Sequence, residues 1–309
     1  MHKVTVVGAG NVGASCAFQL AERNVADVVM IDILEGMPQG KALDMAQCGA
    51  IFDFDAKVEG SNDLAAVKDS DVVVVTSGIA RKPGMDRMDL LKTNAGIVKD
   101  VAAAVKKHAA DALIIMVTNG LDVMAYVAMH VTGFPRGRVM GLVGELAAAR
   151  LRRFIAWELG VSVRDVAAMV LGGHGDQMVP LPRFSTVNGI PITELLPDDR
   201  IEALAQRTRV GGGEIVKLLK TGSAFYAPAG SAVVMTEAIL RDTGHLVPAA
   251  AYLEGEYGHE GIHLGVPVRL GREGIKQIIE VDLNDAERKA LDVSAKAVRQ
   301  GVEDVKPFL

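Results

Sequence analysis

Apolar residues alternate along the chain between short β-branched runs and longer segments with helical spacing. The first run, residues 4–7, ends in a glycine-rich turn, and a helical pattern follows over residues 14–22. Further runs predict strands at residues 27–31, 71–75, 112–117 and 138–142, with a helical pattern over residues 90–105 between two of them. These runs are apolar throughout, as strands covered on both faces must be. The order predicts an α/β fold with a doubly wound parallel sheet.

The second half of the chain has a different pattern of predicted helices and strands. A helical pattern over residues 145–159 precedes an apolar run, residues 166–171, that predicts a strand. The later pattern consists of helices near 200–210 and 231–242, apolar runs 246–253 and 266–270, a loop over 257–265 between them, and a last helix that Asn284 and Glu287 cap. We expect a dinucleotide-binding domain over residues 1–143 and an α+β substrate and catalytic domain over 144–309.

The first turn carries a dinucleotide signature. Gly8-Ala9-Gly10-Asn11-Val12-Gly13 follows a strand and opens a helix, and Asp32 stands 19 residues beyond Gly13. This arrangement predicts a Rossmann domain in which the first glycine permits the turn, the second admits the pyrophosphate and the third allows close packing. Asp32 would accept hydrogen bonds from the adenosine ribose and repel a 2′-phosphate, which favours NAD over NADP. The alternative for Asp32 is an ordinary turn acid.

Composition excludes several classes of protein. The 309 residues are 50% hydrophobic and carry a net charge of -5, and the single Trp and four Tyr give few stacking platforms, so nucleic acid is not an expected partner. Two cysteines form no disulfide framework, which fits a reducing cytoplasm. Neither a signal peptide nor a membrane helix is expected from the sequence, and a cytoplasmic location is therefore predicted.

Three segments carry candidate chemistry. His174 stands among glycines in Leu171-Gly-Gly-His-Gly-Asp-Gln-Met, where a ligand has room to approach the ring. The loop after the strand at 71–75 contains Arg81 and Arg87, and arginine binds carboxylates through paired hydrogen bonds. Arg150 lies on the helix from Glu145. The alternatives are a glycine-rich turn that happens to hold a histidine, an exposed basic loop, and an ordinary helix-surface charge.

Taken together, these motifs resemble those of the lactate and malate dehydrogenase family, most closely its bacterial malate dehydrogenases of the lactate-dehydrogenase-like branch. The resemblance rests on GAGNVG, IARKPGMDR, Asn119, the AAR that contains Arg150, GGHGD and the later GSAFYAP, and it runs from near Val4 to the last helix. It implies hydride transfer between malate or oxaloacetate and NAD, and assembly into a homodimer or homotetramer.

The resemblance also implies a role for each matching residue. His174 would be the acid and base, Arg150 would hold the C1 carboxylate, and Arg87 would polarise the reacting oxygen. Arg81 would pair with the second carboxylate of oxaloacetate, where lactate enzymes commonly have glutamine. Asn119 would contact both substrate and nicotinamide ribose. The remaining implied cofactor contacts are Asn94, Val117 and Thr118.

The chain departs from the family pattern at two positions. Ala147 stands where the family has an aspartate that pairs with the histidine, so the predicted activity is weakened; Glu145 is not expected to replace that acid. Gly120 stands where the family usually has proline after the asparagine, which frees the backbone beside Asn119.

Two rival functions and one metal site are alternatives to this interpretation. The rivals are another 2-hydroxyacid dehydrogenase of the lactate type and an NAD-binding protein with little catalysis. His259-Glu-Gly-Ile-His263 matches a zinc-protease string, but Gly258 and Gly261 disfavour the helix that zinc binding needs, so the segment is interpreted as a solvated loop and no metal is expected.

Overall fold

A computed structural model describes residues 1–79 and 87–309 of the chain, except for the side chain of Arg87. The strands are β1 Lys3–Val7, β2 Asp27–Ile31, β3 Val58–Ser61, β4 Val72–Val75, β5 Leu113–Met116, β6 Val139–Gly141, β7 Val166–Ala167, β8 Val170–Leu171, β9 Val179–Pro180, β10 Thr186–Val187, β11 Ile190–Pro191, β12 Leu246–Glu254, β13 Glu260–Gly271 and β14 Gly274–Ile278. The α-helices are α1 Asn11–Glu22, α2 Met37–Phe52, α3 Arg87–His108, α4 Leu121–Thr132, α5 Val143–Leu159, α6 Ile192–Leu195, α7 Asp198–Leu219, α8 Tyr226–Leu240 and α9 Asp285–Val305.

The first six strands form a parallel sheet in the order β3-β2-β1-β4-β5-β6. Strand β4 consists of four valines, all of them buried. A strand that is covered on both faces needs apolar residues at every position, which explains the continuous apolar run in the sequence. The strand order reverses between β1 and β4, and open α/β sheets bind ligands in the crevice at such a switch point. The predicted Rossmann-type doubly wound sheet is confirmed.

The sheet does not end at β6. Strand β12 pairs antiparallel with β6 through Ala250 and Gly141, and β13 and β14 extend the sheet further, so nine strands are continuous. The C-terminal half adds a two-stranded and a three-stranded antiparallel sheet and helices α5 to α9. This arrangement is the predicted α+β half. The domain boundary at residue 143 stays a prediction, and hydrogen bonds between β6 and β12 cross it.

Local signals at turns and caps agree with the structure. Asn284 accepts a hydrogen bond from the Glu287 N–H at 2.9 Å, and the Glu287 carboxylate accepts one from the Asn284 N–H at 3.0 Å, so the predicted capping box opens α9. Within the described ranges, none of the helices is long and apolar enough to cross a membrane.

Two sequence-based expectations about the second half are wrong in detail. The run 166–171 is not one strand: β7 joins the three-stranded sheet, whereas β8 pairs with β9. The segment 257–265 is not a solvated loop throughout, because β13 begins at Glu260 and His263 is fully buried in it. Burial lowers the pKa of His263 to about 4, so the ring is neutral at physiological pH.

Candidate active site

The turn between β1 and α1 has the geometry that a pyrophosphate needs. Gly8 has φ +103°, a backbone conformation that residues with a side chain rarely adopt. A Cβ on Gly13 would collide with the carbonyl oxygen of Gly8. By contrast, a Cβ on Gly10 would meet nothing within 4 Å, so the backbone there is open to a ligand. The exposed residues Gly10 and Asn11 lie at the positive N-terminus of α1, which favours bound phosphate.

Asp32 lies at the end of β2 beside this turn. Its Oδ2 accepts a hydrogen bond from the Ala9 N–H at 2.8 Å, and its Oδ1 accepts one from the Leu34 N–H at 3.0 Å. Both contacts orient the carboxylate, and each oxygen keeps a second lone pair for a ribose hydroxyl. Asp32 lines a cavity of about 430 Å³ together with Gly8 and Gly10.

The same cavity contains a polar atom that lacks a partner. Ser77 lines it, and its Oγ is buried without a hydrogen-bond partner in the part of the chain that the structure describes. Glycine backbone, a carboxylate and a spare hydroxyl group are donors and acceptors that suit the phosphates and ribose of a dinucleotide. The residues present therefore fit this cofactor.

A second cavity of about 420 Å³ adjoins the first and shares Thr76, Gly78 and Ile79 with it. It collects predicted site residues from both halves of the chain, namely Val12, Val117, Thr118, Asn119, Arg150 and His174. The cavity thus lies where a substrate would meet the nicotinamide end of a dinucleotide that extends from the first cavity.

His174 follows β8 on a turn whose first residue, Gly172, exchanges two backbone hydrogen bonds with Gly265 of β13. His174 is exposed to solvent and lines the cavity. Loss of hydration, and secondarily the charge of Arg150, lower the pKa of His174 to about 4. Because solvent still reaches the ring, the loss of hydration is partial in the open cavity. The imidazole is neutral at pH 7 and ready to accept a proton.

Arg150 projects from α5 into the same cavity and is half-buried. Two glycines of α7 make room for it: a Cβ on Gly211 would lie 3.4 Å from its Cδ, and one on Gly212 would lie 3.5 Å from its Nη2. Desolvation lowers the pKa of the guanidinium, which stays protonated near neutrality because its ordinary pKa is so high. A partly desolvated cation next to His174 is suited to bind a substrate carboxylate.

The asparagines predicted to bind ligands play different parts. Asn119 is exposed in the cavity at the carboxyl end of β5. Asn94 is fully buried: its Oδ1 accepts a hydrogen bond from the Ile79 N–H at 2.8 Å, and its Nδ2 donates to the Asn119 carbonyl at 3.2 Å. Asn94 therefore supports the backbone of two cavity segments and offers no surface to a ligand in this conformation.

The two departures from the family pattern have clear structural settings. Ala147 is buried in an apolar cluster and Glu145 is half-buried, and neither is among the described residues that line the cavity. Gly120 precedes α4 with φ +79° and ψ 30°. The family usually has proline at this position. Proline holds φ near -65° and therefore cannot adopt this backbone conformation.

Two predicted substrate residues are not described by the structure. Arg81 lies outside the described residues, as does the side chain of Arg87, whose backbone begins α3. Their roles stay predictions that rest on the sequence.

Sequence analysis missed several residues that shape the site. Lys41 of α2 donates a hydrogen bond to the Ala9 carbonyl at 2.6 Å and so supports the dinucleotide turn. Helix α7, the segment before α8 and the first turn of α8 complete the cavity with Arg209, Gly212, Gly213, Val216, Ser223, Ala224 and Pro228. Two signals were present in the sequence: the run Gly211-Gly212-Gly213, which is unusual inside a helix and leaves space for Arg150, and the GSAFYAP motif, which contains Ser223, Ala224 and Pro228.

Known proteins match the chain over nearly its whole length. Residues 2–141 match the NAD binding domain, and residues 145–309 the alpha/beta C-terminal domain, of lactate/malate dehydrogenase. A malate dehydrogenase of Thermomicrobium roseum is 56% identical over 305 residues, which cover 99% of this chain and 98% of that protein.

Solved structures agree with the sequence comparisons. The apo malate dehydrogenase of Picrophilus torridus matches with a TM-score of 0.97 at 43% identity, covering 99% of this chain and 98% of that one. The malate dehydrogenase of Salinibacter ruber matches with a TM-score of 0.95 at 50% identity and the same coverage. The chain therefore belongs to the lactate/malate dehydrogenase family.

Proposed function

We propose that this protein is an NAD-dependent malate dehydrogenase that uses His174 as its acid and base. The observation that carries the proposal is the convergence of His174, Arg150 and Asn119 in one cavity that opens onto the dinucleotide turn. Three relatives that match over nearly their full length are named malate dehydrogenases.

The chain's own residues account for binding and proton transfer. Bound NAD supplies the hydride acceptor for malate oxidation, and NADH the donor for oxaloacetate reduction. Arg150 binds the carboxylate next to the reacting carbon, and Asn119 orients the substrate by hydrogen bonding. His174 takes the hydroxyl proton of malate in one direction and returns it to the oxygen of oxaloacetate in the other.

The charge of His174 changes with occupancy of the site. In the open cavity the lowered pKa keeps the ring neutral, which suits proton acceptance from malate. Oxaloacetate carries two negative charges, and one of its carboxylates neutralises Arg150. The added negative charge and the neutralisation of Arg150 each raise the pKa of His174. Substrate binding thus supplies the protonated histidine that reduction requires.

Specificity for a dicarboxylate rests on the prediction for Arg81. A guanidinium at this position pairs with the second carboxylate of oxaloacetate, which pyruvate lacks. The rival functions, a lactate-type enzyme and an NAD-binding protein with little catalysis, are not favoured, because relatives that are 56% and 52% identical to the chain are named malate dehydrogenases.

A steady-state comparison tests the function directly. We expect kcat/KM for NADH oxidation to be higher with oxaloacetate than with pyruvate, and replacement Arg81→Gln to lower the value for oxaloacetate by roughly 10²-fold or more, because one charge-assisted contact is lost. Arg81→Lys is the matched control that keeps the charge. Preference of the unmodified protein for pyruvate would contradict the assignment of Arg81, and tight NADH binding without turnover of either substrate would contradict the proposed function.

We further propose that the protein acts as a homo-oligomer in the cytoplasm. Exposed apolar side chains on three helices would be covered by a second copy; they include Leu43, Ile51, Phe52, Trp157, Leu218 and Leu219. The cytoplasmic part of the proposal rests on the sequence, whose two cysteines, Cys16 and Cys48, form no disulfide framework. Light scattering should give a dimer or tetramer mass, and a monomer mass across a wide concentration range would contradict the oligomer.

A further inference from the structure

The turn that carries His174 is held from behind by two side chains on different helices. Asp122 of α4 accepts a hydrogen bond from the His174 N–H through its Oδ2 at 2.8 Å. Ser294 of α9 accepts one from the neighbouring Gly173 N–H at 2.8 Å. Both side chains are buried, with exposures of 5% and 0%. The histidine is therefore anchored through its main chain, although the family's side-chain partner is absent at Ala147.

These two anchors differ in charge. Ser294 is neutral, whereas Asp122 is a carboxylic acid in a poorly hydrated place, where burial raises its pKa to about 7 despite the hydrogen bonds that favour the anion. Its second oxygen, Oδ1, is buried and has no hydrogen-bond partner among the residues that the structure describes. Asp122 and His174 also line one cavity of about 390 Å³ behind the active site.

We propose that Asp122 is the positioning residue for His174, holding the histidine turn through the main chain and, as a carboxylate, stabilising the protonated imidazole that forms during turnover. The proposal rests on the proposed function, because it takes His174 as the acid and base. It assigns to a buried acid on α4 part of the electrostatic role that an acid at position 147 would have.

The surroundings favour a direct effect of this charge. The face of α9 toward the shared cavity contributes Ser294, Ala297 and Val298, and α3 contributes Leu90 and Leu91, all of them uncharged. Among the residues that the structure describes, the titratable groups that line the cavity with Asp122 are His174 and Asp176, and Asp176 is exposed to solvent. Arg150 acts on His174 from the opposite side, in the active-site cavity, and lowers its pKa. Asp122 is 5% exposed, so solvent and salt screen its charge less than that of an exposed group.

Two conservative replacements separate charge from anchoring. Asp122→Asn keeps an acceptor for the His174 N–H and removes only the charge, while Ser294→Ala removes the neutral anchor of the same turn. Oxaloacetate reduction needs protonated His174, so its rate falls at high pH as that proton is lost. Loss of the carboxylate lowers the pKa of the ring, and Asp122→Asn should therefore move the basic limb of kcat downward by about one pH unit. Ser294→Ala should lower kcat without moving the limb.

Amide hydrogen exchange tests the anchor without turnover. Asp122→Ala should speed exchange of the His174 amide by about tenfold, and Ser294→Ala should do the same at Gly173, because each loses its acceptor. Near-UV circular dichroism and thermal melting verify that every variant is folded.

Each outcome decides a separate point. A pH profile of Asp122→Asn that superimposes on that of the unmodified protein overturns the electrostatic role, as does an equal loss of kcat in both variants without a shift of the limb. Unchanged exchange at His174 in Asp122→Ala overturns the anchor. If the unmodified protein does not reduce oxaloacetate at all, the proposed function fails, and the exchange rates alone then decide whether Asp122 positions the turn.

Discussion

Replacement of His174 by glutamine should slow hydride transfer to oxaloacetate by about 10²–10⁴-fold, the usual contribution of a positioned acid or base. Glutamine has a similar length and retains hydrogen bonding, but it cannot deliver a proton to the substrate oxygen. The turn itself should persist, because Asp122 and Ser294 hold it through backbone N–H groups that the replacement leaves in place.

The loss should lie in the chemical step rather than in cofactor binding. NADH affinity, followed by fluorescence titration, should stay within about twofold of the original value, since the dinucleotide turn and Asp32 lie in the neighbouring cavity. Single-turnover absorbance at 340 nm measures hydride transfer without interference from product release. A variant that binds NADH normally and transfers hydride at an undiminished rate would show that another group supplies the proton.

The dinucleotide site was predictable because its signal is local. Gly8, Gly10 and Gly13 have distinct physical tasks within one turn, and each task leaves a glycine in the sequence. Asp32 follows because β2 must return beside β1 at a nearly fixed spacing. Apolar runs likewise located five of the six parallel strands; β3 was missed, since its four residues include Glu59 and Gly60.

The substrate side was less predictable because it is assembled over long distances. Asn119, Arg150 and His174 converge only after three segments fold against one another, and their joint role was recognised through resemblance rather than spacing. The contacts that Lys41 and α7 make to the site could hardly be predicted from the local sequence. A single lysine or a polar helix face is common in sequences and does not indicate a ligand site.

The error at β13 has a specific physical cause. Gly258 and Gly261 disfavour a helix, and the segment 257–265 is therefore interpreted from the sequence as a loop between two apolar runs. In the fold, Gly265 exchanges backbone hydrogen bonds with Gly172, and a Cβ there would collide with the Gly172 carbonyl oxygen. That glycine marks the close approach of the histidine turn to the strand, which only the tertiary structure reveals.

Replacement Ala147→Asp should raise kcat for oxaloacetate reduction and extend activity to higher pH. Ala147 lies three residues before Arg150 on α5, a spacing that puts both on the same side of the helix, although Ala147 itself is buried and does not line the cavity. A carboxylate there would stabilise protonated His174 and raise its pKa, so the proton required for reduction would be retained to higher pH. Loss of the corresponding acid in a serine protease costs about 10⁴-fold in turnover, which is an upper guide to the gain.

The same replacement should destabilise the protein before substrate binds. Ala147 is 1% exposed within an apolar cluster, and an ionised carboxylate in such a place costs several kcal/mol unless it is paired. In the free protein His174 is neutral at pH 7, so a new Asp is not compensated until the ring becomes protonated. The melting temperature should therefore be lower than that of the original protein.

Ala147→Asn is the matched control, because it adds a hydrogen-bond acceptor of the same size without the charge. We expect it to leave the basic limb of the pH profile unchanged, while Ala147→Asp shifts that limb upward by about one unit or more. Single-turnover rates at several pH values, combined with NADH titration, separate the chemical step from binding and product release. An Ala147→Asp protein that folds and binds NADH normally, yet transfers hydride no faster at any pH, would show that the main-chain anchors already orient His174 sufficiently and that position 147 no longer limits the reaction.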